Sequence, residues 1–177
     1  MQDHMDVKVY HPLSKFLHWL IALLVVTLLV VGFLLEDLPP IAYTLHKSFG
    51  ILVLALMIGR VLWIRHIGRP SLPEAMPQWE KFFARAVQHC LYLFLIMMPI
   101  AGWIMSTASG HVPEFFGLFL FPCPGISEDK ALAEFMKEVH ETTAWIIIGL
   151  LFFHVAGALK HHFGDKDNVL KRMWFGG

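Results

Sequence analysis

The sequence predicts an all-α membrane protein: a bundle of four transmembrane helices, both termini cytoplasmic, with a short interfacial or helical segment in the periplasmic loop between helices III and IV. Three observations predict it. Hydrophobic residues make up 56% of the 177 and charged residues only 16%; the mean hydropathy of +0.59 is far from that of a soluble domain. Four apolar runs are each long enough to cross a hydrocarbon core of about 30 Å, which takes roughly 20 helical residues. The basic residues are gathered on one side of those runs. A formal net charge of zero gives no reason to expect a nucleic-acid partner. No internal repeat or second domain is visible in residues 1–177, which are taken as a single membrane domain.

Helix I is expected over about 13–35. It is uncharged from Phe16 to Leu35, and Glu36-Asp37 with Pro39-Pro40 ends it. The N-terminus lacks the small-residue cleavage site of a signal peptide, so this run is expected to remain as a helix. Helix II, about 43–65, contains one charge, Arg60. Helix III, about 81–108, contains Pro99, an expected kink. Helix IV, about 138–163, is uncharged from Thr142 to Leu159. In the long segment 109–138, "FFGLFLF" (115–121) reads as an interfacial stretch, and Ser127 to Glu138 as a helix start leading into helix IV. Eleven of the fourteen Lys and Arg residues fall in the N-terminal tail, the 60–85 region and the C-terminus, against Lys47, Lys130 and Lys137 on the other side. The positive-inside rule therefore places both termini in the cytoplasm.

Eleven histidines are the compositional oddity. An ionisable ring inside hydrocarbon costs free energy unless something binds it. His18 lies near the cytoplasmic end of helix I, His46 at the outer end of helix II, and His140 at the outer end of helix IV. His154 follows His140 by fourteen residues, which leaves the two within about 40° of one helical face and about 21 Å apart along the axis. His140 thus shares the level of His46, and His154 is nearer that of His18. Two histidine pairs result, one near each membrane surface. His4, His11, His66 and His111 fall in tails or loops and are expected to be solvated.

The donor set narrows the cofactor. Zinc usually takes three or four protein ligands, and no carboxylate or cysteine completes either pair. The Glu-x-x-His signature of di-iron bundles is absent. "HETTA" (140–144) misses the HExxH pattern because Ala144 stands where the second histidine would be. No CxxCH is present for covalent haem attachment. Haem b needs only two axial ligands, and its flat, apolar macrocycle suits a gap between helices. Small residues one turn from three of the histidines leave room for it: Ala22, Gly50 and Ala144. Two non-covalent haems b, with His18, His46, His140 and His154 as axial iron ligands, are the expectation. The competing reading of any one such histidine is an interhelical hydrogen bond. Four at paired depths are harder to explain that way. Cys90 and Cys123 fall on opposite sides of the membrane and are not expected to pair.

The stretches "SKFLHWL", "LHKSFGILVLALMIGRVLW", "AVQHCLYLFLIMMPIAGW", "VHETTAWIIIGLLFFHVAGALKHHF" and "DKDNVLKRM" resemble, in order and spacing, the bacterial cytochrome b561 family, from about Val9 to Met173. The wider set includes cytochrome b subunits of hydrogenases and formate dehydrogenases. The resemblance implies a four-helix, di-haem electron carrier of the bacterial inner membrane that exchanges electrons with quinone. It assigns His18 and His154 to the cytoplasmic haem and His46 and His140 to the periplasmic one. It also implies ubiquinone as substrate and a periplasmic electron donor or acceptor, superoxide being one donor used within the family.

Further residues then acquire candidate roles. Arg60, fourteen residues after His46, returns to the histidine face at the cytoplasmic level, where a haem propionate would pair with it; the alternative is an arginine that snorkels to the lipid surface. His89 is the rival axial ligand for the cytoplasmic haem, but helix III has no second histidine at the outer level. It is expected to contact a propionate or quinone, or simply to pack. Lys160, His161 and His162, followed by "GDKDN", form a candidate quinone site, or equally a positive-inside anchor. Two functional classes remain beside a haem-free bundle: an oxidoreductase passing single electrons between a periplasmic reactant and ubiquinone, and a haem-bearing membrane anchor subunit that relays electrons for a separate enzyme.

Overall fold

The computed structural model describes residues 9–174; His4 and Lys8 lie outside the described residues. Helix α1 spans Pro12–Leu34 and is followed by a 3₁₀ turn at Leu35–Asp37. Then come α2 (Ile41–Ile67), α3 (Gln78–Ala108), the strands β1 (Glu114–Phe115) and β2 (Phe119–Leu120), and α4 (Lys130–Leu159). All four helices are long and apolar enough to cross a membrane. Even the shortest, α1, with 23 residues, reaches about 35 Å at the helical rise.

Local chemistry sets the helix ends. Pro12 occupies the start of α1, where its missing N–H is no loss. His11 is exposed, as expected of a residue ahead of the helix, and it also caps α1: its Nδ1 accepts the Leu13 N–H at 3.2 Å, and its ring stands edge-on to Trp63 at 5.2 Å. Gly68, at φ 80°, closes α2 in a conformation that side chains resist. Asp129 starts α4 by accepting the Leu132 N–H at 3.1 Å, so α4 begins at Lys130 and its first turns form the helical part of the 109–138 segment. At its far end the helix widens into one π-helical turn, Lys160–Asp165, closed by Lys166 at φ 54°.

The apolar stretch 115–121 is not helical. It forms a hairpin in which Glu114 pairs with Leu120 and Phe115 with Phe119. Positive φ at both Phe116 (51°) and Gly117 (73°) suits the twist of a tight hairpin. That conformation is costly for phenylalanine, and α2 holds it in place. Buried Ser48 accepts the Phe116 N–H at 2.8 Å, and Phe49 meets the Phe116 ring edge-on at 5.1 Å. The hairpin therefore folds back to the level of His46, two residues before Ser48.

Backbones pack closely in the order α1–α2–α3–α4, whereas α1–α4 and α2–α4 approach far less. Ile21, Val25 and Leu29 of α1, Val53 and Met57 of α2, and Ala144 and Ile147 of α4 form the buried core. Their positions along the helices lie between the two histidine levels. Outward-facing residues such as Leu23, Leu62 and Phe152 are 60–68% exposed, as a surface solvated by lipid requires. Tyr10 N–H donates to the Arg172 carbonyl at 3.4 Å, which brings the two described chain ends together. This end is called the terminal end below, and the other the hairpin end.

Candidate cofactor site

Each histidine pair brings together rings from two different helices. At the terminal end, His18 of α1 and His154 of α4 have ring centres 6.1 Å apart and planes at 65°. At the hairpin end, His46 of α2 and His140 of α4 are 6.4 Å apart, with planes at 69°. Two imidazoles that share one ion through nitrogens about 2 Å from it would have ring centres roughly 6–6.5 Å apart. Both pairs match that spacing. Two ligands per ion leave the remaining donors to a flat ring, and the surroundings suit an apolar one. A small gap of about 40 Å³ beside His46 and His140 is otherwise lined by aliphatic residues, Gly50, Met98 and Pro99. A Cβ on Gly50 would meet nothing within 4 Å. Ala144, by contrast, is packed into the core rather than facing open space.

The backbone orients the pair at the hairpin end. His140 Nδ1 lies 3.0 Å from the Met98 carbonyl, so that nitrogen carries the proton and Nε2 is left to bind. Gly102 permits this approach, since a Cβ there would lie 3.0 Å from His140 Cε1 and Nδ1. Gly32 does the same for His46, with a Cβ reaching 3.2 Å from its Cε1. His46 Nδ1 is buried without a protein partner, an arrangement that is unfavourable by itself and that folded proteins keep at sites with another task.

Arg60 supports the pair at the terminal end. It is 5% exposed, so it does not snorkel. Its Nη1 donates to the Ser14 carbonyl at 2.9 Å and its Nε to the Tyr92 hydroxyl at 3.3 Å, which ties α1, α2 and α3 together. Through Ser14, one turn before His18, its charge is held at the level of this pair. Trp19 stands edge-on to His18 at 5.4 Å and donates to the Met173 carbonyl at 3.0 Å, so the C-terminal segment closes over this pair. Sequence periodicity found none of Gly32, Gly102, Met98, Ser14 or Tyr92. The glycines of "VGF" and "AGW" inside otherwise bulky helices were the available signal.

The remaining candidates separate. His89 is exposed and joins neither pair; its Nε2 is 3.5 Å from Arg69 Nη2, beside the α2–α3 loop. Lys160 pairs with Glu80 of α3 and, at 3.0 Å, with Asp165. His161 is buried, its Nδ1 2.8 Å from Asp167 and 3.0 Å from Asp165. His162 Nδ1 is buried without a partner. Ligand atoms of Glu80, His161 and Asp165 lie within 4.8 Å of one another, but the Lys160 ammonium already supplies the cation there.

Comparison with known proteins agrees with this architecture. Residues 9–176 match the family model described as prokaryotic cytochrome b561. Cytochrome b561 homolog 2 of Escherichia coli K12 is 38% identical over 172 residues, covering 93% of this chain and 90% of that protein. Cytochrome b561 homolog 1 of the same organism is 30% identical over 128 residues, 72% of each chain. A Yersinia pestis protein named probable superoxide oxidase CybB is 32% identical over 174 residues, covering 94% of this chain and 96% of the relative. A family match over nearly the whole chain, four membrane-spanning helices and two facing histidine pairs lead to one assignment. The chain belongs to the prokaryotic cytochrome b561 family, bacterial membrane proteins that transfer electrons by means of b-type haem.

Proposed function

We propose that the protein carries two haems b, one on His18 and His154 and one on His46 and His140, and passes single electrons between a water-soluble reactant at the hairpin end and ubiquinone. The observation that carries this reading is the repetition of one ligand geometry, 6.1 and 6.4 Å between ring centres, at the two ends of a single bundle. Haem iron bound by two histidines exchanges one electron at a time. The chain's own residues do the rest. The four imidazoles hold and orient, Ile147 and its neighbours keep water out between the two levels, and Arg60 supplies fixed positive charge at the terminal level.

The distribution of Lys and Arg supports placing the terminal end in the cytoplasm and the protein in the bacterial inner membrane. Reduction of quinone also takes protons, and the Lys160–His162 turn offers groups that hold them: His161 Nδ1 lies between the Asp165 and Asp167 carboxylates. This favours quinone reacting at the terminal end. Superoxide is the candidate donor at the hairpin end because a relative alike over nearly its full length is named a probable superoxide oxidase. The second reading, an anchor subunit for a separate enzyme, draws on the hairpin tip, where Leu118, Phe119 and Leu120 are 53–77% exposed. A stable enzyme partner co-purifying through that tip would favour it. Pyridine haemochrome analysis of the fully loaded protein tests the central claim. Two haems b per chain are expected; one or fewer overturns it.

A further inference from the structure

Beside the terminal end lies an open cleft of about 420 Å³ that the electron-transfer reading does not use. Its walls come from the start of the described chain (Tyr10), the α2–α3 loop (Arg69 to Leu72) and one face of α3 (Ala84, Arg85, Gln88 and His89). Two guanidinium groups share it, and no carboxylate lines it. Among the described residues neither Arg69 nor Arg85 has an acidic partner within ion-pair reach. Arg69 is engaged by groups that carry no negative charge, with Nη1 donating to Gln88 Oε1 at 3.0 Å and Nη2 3.5 Å from His89 Nε2. Its orientation is thereby fixed while its charge stays uncompensated. The loop wall is fixed as well, because Arg172 Nη1 donates to the Ser71 carbonyl at 2.6 Å. Burial, together with neighbouring Tyr92, pushes the Tyr10 phenol above its ordinary range, so its hydroxyl remains a donor.

We propose that this cleft is a binding site for the phosphate of an anionic phospholipid headgroup. Two like charges held side by side favour an anion, and planar guanidinium groups match the paired oxygens of a phosphate. The source of the phosphate follows from depth. Trp79, Phe82 and Phe83, 48–76% exposed, lie on α3 closer to its start than the cleft residues. Exposed aromatic rings at a helix end mark the headgroup level of a bilayer. The cleft residues of α3 follow directly on these rings, from Ala84 to His89, so the cleft opens at the headgroup level, where a phosphate arrives attached to acyl chains. The site is independent of which histidines bind haem.

The test is native mass spectrometry of the delipidated, haem-loaded protein titrated with phosphatidylglycerol, phosphatidylcholine or inorganic phosphate. The protein should retain one phosphatidylglycerol per chain in preference to phosphatidylcholine, and inorganic phosphate should bind far more weakly. At about 1 kcal/mol for each basic residue near an anionic headgroup, Arg69→Gln with Arg85→Gln should weaken retention roughly thirtyfold. Exposed Arg85 replaced alone, a change the fold tolerates, should weaken it roughly fivefold. A control pair, Arg65→Gln with Lys81→Gln, removes two charges at the same end outside the cleft and should leave retention intact. Equal loss in the control pair, or undiminished binding in the double variant, would overturn the site. Inorganic phosphate binding as tightly as the lipid would overturn the lipid as its source.

Discussion

At the hairpin end, His140 is steered by a backbone carbonyl, Met98, and both His140 and His46 press against glycines on neighbouring helices. At the terminal end, His18 meets Trp19, which ties it to the closing C-terminal segment, and Arg60 is anchored at the same level through Ser14. The ligand geometry is nearly the same at both ends, and its support differs. One pair depends on how closely two backbones approach, the other on a network of side-chain hydrogen bonds and charge. A pair held by backbone geometry has few ways to adjust, whereas a pair surrounded by polar groups can be tuned by them. The polar end is also the one with groups able to hold protons.

The largest effects should come from the ligands themselves. His46→Ala or His140→Ala is expected to abolish the haem of the hairpin end, and His18→Ala or His154→Ala that of the terminal end. Each variant should retain the other haem, as read from low-temperature optical spectra and haem content. His89→Ala should keep both, because its ring is turned to Arg69 and the α2–α3 loop. If His89→Ala removes a haem and His18→Ala does not, the pairing is wrong and the comparison between the two ends has no basis.

Much of this was legible in the sequence because the helical period is regular. Fourteen residues separate His140 from His154 and His46 from Arg60, and that spacing returns to nearly one face. So the levels of the rings and the face that carries Arg60 can be read from count alone, while the burial of Arg60 had to come from the packing. What cannot be read is how close two helices come. Gly102 matters only because α3 and α4 pack tightly enough to bring His140 onto it. "FFGLFLF" was ambiguous for a related reason. A short apolar run has no period to tell strand from helix, and here Ser48, far away in sequence, settles it by accepting the Phe116 N–H. The place of His89 likewise depends on Arg69 across the α2–α3 loop.

A sharper probe of the hairpin end uses its glycines. Gly102→Ala would set a Cβ 3.0 Å from two atoms of the His140 ring, forcing the ring off the Met98 carbonyl. Loss of a group that orients a metal ligand typically costs about 10–100-fold in metal affinity, and a loss of that order is expected for the haem of this end only. Gly50→Leu asks a different question. Its first side-chain atom meets no protein atom within 4 Å, so the folded apoprotein should tolerate it. If the gap beside His46 is where the macrocycle lies, haem uptake at this end should still fail. Normal uptake in Gly50→Leu would place the macrocycle elsewhere.

The smallest expected effect concerns the polar surroundings of the terminal end. His161 is held between Asp165 and Asp167, and His162 keeps a buried nitrogen without a protein partner. The π-helical turn places His161 next to Glu80 of α3, which pairs with Lys160. Neither ring belongs to a histidine pair, so the double variant His161→Gln, His162→Gln should retain both haems. If protons for quinone reduction are drawn from this turn, reoxidation of the reduced protein by ubiquinone should slow by about tenfold or more, because acid–base groups placed in line commonly contribute at least that much. A purely electrostatic role as a topology anchor would leave the rate unchanged. Unchanged reoxidation in this variant, with slowing instead from substitution of Lys47 beside His46, would move the quinone to the hairpin end. The difference between the two ends would then concern only how they are built, not what they react with.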